Sequence, residues 1–286
     1  MRLRNLCVMF GVLVFVLLSP YAAMGEWEIE CVDCPHQFSD MGSRSLVLDS
    51  GGYPHIAYGA DNLYYASYDG VSWQIETVDS AGKVGRYTSL ALDASGRPHI
   101  SYFDDWKYDL KYASYDGGSW QIETVDSEGS VGYYPSLALD ASGRPHISYY
   151  ASYPDYDLKY AYHDGVSWQI ETVDSAGLVA GGGRYTSLAL DASGRPHISY
   201  SGIYYKGLKY AWYDGVSWRI EMVDSAAGYM GYSTSLALDA SGSPHISYYD
   251  VTNYDLKYAW RDGVSWRIET VDSEEYVGQY TSLALD

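Results

Sequence analysis

The sequence predicts an all-β chain: a β-propeller of five complete four-stranded blades, with an orphan strand at each terminus. Three observations lead there. One run of residues recurs five times: S-L-A-L-D-A-S-G-R-P-H-I-S-Y, then L-K-Y-A, then D-G-V-S-W-x-I-E-T-V-D-S. Its histidine falls at His55, His99, His146, His197 and His245, intervals of 44 to 51 residues, which is the period of a propeller blade. No segment has helical spacing, and Asp-Gly and Ser-Gly-Arg-Pro turns separate short strand-like runs.

The first 25 residues stand outside the repeat. Arg2 and Arg4 precede an apolar run from Leu6 to Leu18, and small residues follow at Ala22, Ala23 and Gly25. This is the pattern of a signal peptide (1–25) cleaved before Glu26, and the run is shorter than the ~20 residues a spanning helix needs. The expected location is therefore secreted or at the cell surface, with no membrane contact after cleavage. Residues 27–33 (W-E-I-E-C-V-D) read as the last strand of a blade with nothing before it.

The repeat domain, 26–286, then holds blades at 45–79, 89–126, 136–174, 187–224 and 235–272. In the second unit, strand A is Ser89–Asp93, strand B His99–Tyr102, strand C Leu110–Tyr115 and strand D Trp120–Asp126. In strand A an alanine between two leucines (Ala91 and its copies) suits the crowding of inner strands near the axis. Pairing strands C and D symmetrically about Gly117 sets Lys111 opposite Glu123, with the same charge pair at Lys159–Glu171, Lys209–Glu221 and Lys257–Glu269. The Asp-Gly dipeptide argues for an even, two-residue turn and a different register. The four recurring charge pairs decide for the first. Residues 282–286 (S-L-A-L-D) read as a lone strand A. A sixth blade closed by both termini lacks its two middle strands, so an incomplete or fragmentary ring is expected, with exposed strand edges.

In a four-strand meander the A–B and C–D links share one face of the disc. Those links are nearly constant between units. The B–C and D–A links lie on the other face and vary in length and content, as binding loops do.

Composition narrows the partners. The net charge of −19 becomes −21 once Arg2 and Arg4 leave with the signal peptide, which disfavours nucleic acid and anionic membranes. Tyrosine is in excess, 33 against 4 Phe, which predicts many half-exposed rings with a hydrated hydroxyl. Cys31 and Cys34 are the mature chain's cysteines, and in an exported protein their C-V-D-C spacing forms a local disulfide or stays a dithiol. A single C-x-x-C is poor evidence for zinc, and Asp104–Asp105 lacks the spacing of a calcium loop, so no metal and no cofactor is predicted. The five repeated histidines occupy rotation-related positions and are expected to lie apart as structural hydrogen-bonding groups.

The turn Asp and following Trp recur as Asp69/Trp73, Asp116/Trp120, Asp164/Trp168, Asp214/Trp218 and Asp262/Trp266. Here S-Y-D-G-V-S-W (67–73) and S-Y-D-G-G-S-W (114–120) resemble the Asp-box (BNR-like) repeat of sialidase-like propellers, S-x-D-x-G-x-T-W, one residue shorter. In that family the box is a folding element, so these ten residues are assigned a structural role. The resemblance implies a sialidase-like or other glycoside hydrolase as one reading. That chemistry needs three converging arginines, for which Arg44, Arg86 and Arg184 are available, a Tyr–Glu pair and an acid. Every strand-D glutamate is a repeat copy, so no catalytic residue is assigned.

The variable face fits recognition better. Trp106, Tyr108, Tyr153, Tyr156, Tyr204, Tyr205 and Tyr254 are the candidate binding residues, set among Ser, Gly, Asn and Asp as in a paratope. The leading expectation is an exported, non-catalytic recognition module for extracellular glycan or protein, with lectin-like propellers as the nearest functional analogy. A structural surface or adhesion segment is the third reading.

Overall fold

The computed structural model describes residues 13–15, 29–33, 44–59, 61–175, 182–202, 206–229 and 232–285. Two short strands come first, β1 (Leu13–Phe15) and β2 (Ile29–Cys31), paired antiparallel. Blade I contains β3 (Leu46–Leu48), β4 (Pro54–Gly59), β5 (Leu63–Tyr68) and β6 (Trp73–Asp79). Blade II contains β7 (Val84–Leu92), β8 (Pro98–Asp104), β9 (Asp109–Tyr115) and β10 (Trp120–Asp126). Blade III contains β11 (Tyr133–Leu139), β12 (Pro145–Tyr150), β13 (Leu158–His163) and β14 (Trp168–Asp174). Blade IV contains β15 (Gly182–Leu190), β16 (Pro196–Gly202), β17 (Lys206–Tyr213) and β18 (Trp218–Tyr229). Blade V contains β19 (Tyr232–Leu238), β20 (Pro244–Asp250), β21 (Asp255–Arg261) and β22 (Trp266–Asp272). Each blade is a simple antiparallel meander. The inner strands neighbour one another in the order β3, β7, β11, β15, β19, so the chain is a β-propeller.

The core lies in the seams between blades. One cluster joins Ala57, Leu63, Tyr65 and Val78 of blade I to Leu90, Ile100, Tyr102 and Ala113 of blade II, and equivalent clusters fill the next three seams. The inner strands are also tied to each other directly. Ser89 Oγ accepts from the Leu137 amide at 3.0 Å, and the bond recurs from Leu188 to Ser136 and from Leu236 to Ser187. Close approach at these seams demands glycine. Gly132 has φ +88°, and a Cβ there would stand 2.6 Å from the Leu110 Cα.

Two expectations about register and burial are corrected. Strands C and D pair Tyr112 with Glu123 and Tyr115 with Trp120, so Lys111 faces Thr124 rather than Glu123. The same shift occurs in the other blades. The loop has two residues, Gly117 (φ +101°) and Gly118, between Asp116 and Ser119, and this even turn sets the parity, with the Asp116 amide donating to Ser119 O. What made the charge pairs persuasive is satisfied across the seam instead. Lys111 Nζ reaches Asp79 Oδ2 of the preceding blade at 2.6 Å, while Glu76 accepts from the Trp120 indole at 2.8 Å. The tyrosine excess predicted many half-exposed rings, but those of strand B are sealed: Tyr102, Tyr149, Tyr200 and Tyr248 are fully buried. Their hydroxyls trade water for a carboxylate, Tyr102 donating to Asp79 at 2.6 Å and Tyr149 to Asp126 at 2.6 Å.

The termini also differ from expectation. Residues 282–285 form no strand, yet the Leu283 amide donates to Ser235 Oγ at 3.0 Å, continuing the inner-strand series one step past blade V. At the other end, strand structure is described for β2 only, followed by Val32 and Asp33, and residues 27–28 lie outside the described residues. Val32 packs on the Ile56–Tyr58–Ala66 cluster of blade I, and Tyr58 donates to Asp33 at 2.9 Å. Of the predicted signal peptide, β1 alone is described. Cys31 is disulfide-bonded; Cys34 lies outside the described residues.

Candidate functional site

The two faces are built differently, and this places the candidate site. On the uniform face the Asp of each C–D turn closes its own turn: Asp116 Oδ1 accepts from the Gly118 and Ser119 amides at 2.8 Å each. Asp69, Asp164, Asp214 and Asp262 do the same. These bonds hold the carboxyl pKa values down, to about 2 for Asp214 and Asp262, whose backbone bonds are joined by an arginine. In blades II to V the Trp that follows this turn packs against the preceding blade. Trp120, Trp168, Trp218 and Trp266 stack edge-on against Tyr65, Tyr112, Tyr160 and Tyr210, with ring centroids 5.2–5.4 Å apart. Trp73 makes no such indole hydrogen bond among the described residues.

The repeated histidines do lie apart, one per blade. The Nδ1 of His99 bonds the Tyr112 hydroxyl, and its Nε2 stands 3.9 Å from Asp93. The arrangement recurs at His55, His146, His197 and His245. Burial lowers the pKa of His99, His146 and His197, so these rings are neutral at pH 7. Among the described residues no group of three His, Cys, Asp or Glu is placed to hold a metal ion.

The opposite face carries the variable loops. The B–C loops of blades II and V share one frame. Asp104, buried, accepts from the Trp106 and Lys107 amides at 3.0 Å each, and the Tyr108 amide donates to Asp104 O. Asp250 likewise accepts from Thr252 at 2.9 Å and Asn253 at 3.3 Å, with the Tyr254 amide on Asp250 O. Tyr108 and Tyr254 take the same left-handed backbone, φ +62° and +65°. One scaffold thus presents Trp106-Lys107 in one blade and Thr252-Asn253 in another. In blade III the loop differs: Tyr153 precedes a cis Pro154, and Tyr156 (φ +59°) lies edge-on to Tyr153 with centroids 6.1 Å apart.

The described candidate residues therefore stand on the variable face, on the separate loops of blades II, III and V. Trp106 and Tyr153 are each 71% exposed, Tyr108 and Tyr254 are less so, and Tyr156 is half-buried. Tyr204 and Tyr205 lie outside the described residues. Tyr254 packs on Tyr276 at 4.3 Å. Other loop aromatics turn inward, with Phe103, Tyr150 and Tyr249 buried and Tyr133 lodged 4.2 Å from Phe103.

Sequence reasoning missed a second aromatic arrangement. Tyr87, Tyr134 and Tyr185 occupy the same place in the first halves of successive inner strands β7, β11 and β15 and pack in series, centroids 4.5 and 4.4 Å apart. All three have positive φ, as do Ser233 and Tyr280 at the next two positions. The motif Gly-x-Tyr before strand A was the available signal, the glycine and tyrosine both serving left-handed backbone. The Arg44 guanidinium donates to Leu188 O, to Ser187 Oγ at 3.0 Å and to Leu236 O at 3.0 Å. It braces blade I against blades IV and V, and desolvation lowers its pKa to about 10, leaving it charged at neutral pH. Arg86 pairs with Asp105 at 3.2 Å, and Arg184 lies over the Tyr150 ring, so each of the three loop arginines has its own separate partners. Two loop acids have raised pKa values: Asp109 through burial and its neighbour Asp104, and Asp157 through burial and Asp155.

No protein-family model matches this chain, and no curated protein matches it. Solved structures do. The Aleuria aurantia lectin in complex with α-methyl-L-fucoside is 15% identical, with a TM-score of 0.56 over 83% of this chain and 81% of that one. AofleA from Arthrobotrys oligospora is 15% identical, with a TM-score of 0.55 over 85% and 72%. A polysaccharide lyase described as an ulvan lyase, bound to -[GlcA(1-4)Rha3S]-, is 13% identical, with a TM-score of 0.60 over 84% of this chain and 73% of that one. At these identities the likeness is one of fold, the β-propeller.

Proposed function

We infer that this chain is an exported, non-catalytic recognition module that binds extracellular glycans through its variable loop face. The observation that carries the reading is the frame shared by the B–C loops of blades II and V. A buried Asp and a left-handed Tyr hold the loop rigid while exposed tips differ from blade to blade. Exposed Trp106 and Tyr153 offer flat faces for sugar rings, and neighbouring Asp, Asn and Ser groups suit hydroxyls. The Asp-box kinship belongs to this reading as a folding element. Export rests on the N-terminal charge and hydropathy pattern. Separate weak sites on one rigid face give avidity to a polymeric ligand.

The structures it resembles include a lectin in complex with a fucoside and a polysaccharide lyase, which makes glycans the first ligand class to test. The experiment is a glycan array with the folded mature chain, repeated with Trp106→Ala and Tyr153→Ala. Binding that falls in either variant while the circular dichroism spectrum is unchanged supports the reading. A blank array with intact protein refutes it. Turnover of chromogenic glycosides would replace it with a hydrolase.

A further inference from the structure

Nearly every cation whose side chain is described is matched to a partner. In the seams the rule is one strand-C lysine to the last aspartate of the preceding blade: Lys111 to Asp79, Lys159 to Asp126, Lys209 to Asp174. On the uniform face Arg97, Arg144 and Arg195 each hold the aspartate that begins their own turn, at 2.6–2.7 Å. Two lysines break the pattern. Lys83 and Lys107 are exposed, and among the described residues neither ammonium makes a hydrogen bond or an ion pair.

These two lysines stand on adjoining loops of one blade. The Asp105 amide donates to Lys83 O at 2.9 Å, which fastens the loop after β6 to the loop after β8, and Lys107 follows two residues later. Trp106, between Asp105 and Lys107 in the chain, is exposed, and its amide is pinned by the buried Asp104 carboxylate. The nearby acids are engaged or turned inward. Asp105 is paired with Arg86 at 3.2 Å, and both Asp104 and Asp109 are buried. The outer surface of this loop pair therefore presents two ammonium groups beside an indole, in a chain whose mature net charge is −21.

Other blades build the same frame without the charge. In blade III the Ser152 amide donates to Ser130 O at 2.7 Å, the equivalent loop-to-loop bond. There S-V-G-Y-Y (130–134) replaces K-V-G-R-Y (83–87), so Ser130 and Tyr133 stand in place of Lys83 and Arg86. In blade V the tip that carries Trp106-Lys107 is Thr252-Asn253. Folding the loop does not call for lysine at either position.

We propose that the blade II loop pair is a subsite for an anionic sugar residue, a hexuronate or a sulfated pyranose, within a glycan. The sugar ring lies on Trp106 and its acid group is taken by Lys83 and Lys107. The inference rests on the glycan reading above and deepens it by naming the ligand class of one blade. Lysine offers a point charge on a flexible stem and not a planar fork, so carboxylate and sulfate ester share the same recognition. The acidic remainder of the surface is screened beyond ~8 Å at physiological ionic strength. An isolated acid group is thus accepted where a continuous polyanion is repelled.

The test uses the folded mature chain and oligosaccharides of one length and backbone in neutral, hexuronate-bearing and sulfated forms, titrated by calorimetry. An acidic form is expected to bind about tenfold tighter than the neutral one, the value of two exposed charge pairs, and the tighter acid names the group. In the double variant Lys83→Gln, Lys107→Gln that ratio is expected to fall to about one. Both side chains are exposed, so the variant keeps its fold, checked by an unchanged circular dichroism spectrum. Equal affinity for neutral and acidic forms overturns the proposal and leaves the glycan reading standing. A preference that survives the double substitution overturns the assignment to these lysines. Absence of binding by every form overturns both.

Discussion

On the face bearing the A–B and C–D turns, side chains answer their own backbone: Asp93, Asp140 and Asp191 each accept two amides of the turn they begin. On the opposite face the same class of bond, from buried Asp104 or Asp250, supports a tip that changes from blade to blade: an exposed Trp106 in one, and Thr252 with an Asn253 that donates back to Asp250 in the other. Between the two faces run the seams, where Lys, Asp, Tyr and Trp answer the neighbouring blade. The contrast teaches that repetition here serves assembly, and that variation is confined to places where assembly makes no demand. Divergence among blades is cheap at Trp106 and costly at Tyr102 or Asp126.

That contrast can be broken first at the seam. Asp126→Ala strips a buried Lys159 of its partner and leaves the Tyr149 hydroxyl unsatisfied, which is expected to cost about 3–5 kcal/mol in urea unfolding. If unfolding is unaffected, the seam rule is wrong.

Acid should act next, in two stages. The buried imidazoles of His99, His146 and His197 have lowered pKa values, so below the ordinary 6.5 the unfolded chain binds more protons than the folded one. Stability therefore begins to fall as pH drops below about 6.5. For Asp79 and Asp126, burial would raise the pKa, but Lys111 and Lys159, the strand-B tyrosines and a backbone amide outweigh it and hold both carboxyls low. Their contribution is complete above the ordinary 3.8 and is lost as pH falls through the lower folded values. Melting temperatures from pH 8 to 2 check both stages, and a flat profile from 6.5 to 5 contradicts the first.

A smaller effect is expected on the uniform face. Asp116→Ala removes the carboxylate oxygen that accepts from two amides of one exposed turn, and its melting temperature should fall less than that of Asp126→Ala. The smallest effect belongs to the loop tips: Trp106→Ala and Tyr153→Ala are expected to change stability by no more than about 0.5 kcal/mol. Either variant unfolding markedly earlier would show that its ring belongs to the assembly and not to a ligand.

The sequence by itself determined the number of complete blades, their strands and the turns that separate them, because period, alternation and Asp-Gly chemistry are local properties. It also separated a constant face from a variable one, which is a consequence of meander order. The lysine and glutamate of strands C and D looked like each other's partners in one dimension, and there the reading failed. Only the tertiary structure decided that they serve opposite seams, because a twisted blade packed between two others offers buried partners that outcompete an exposed cross-strand pair. The same cause buried the strand-B tyrosines and let Arg44 reach blades IV and V. Each depends on which blade stands next door, and no local pattern records a neighbour.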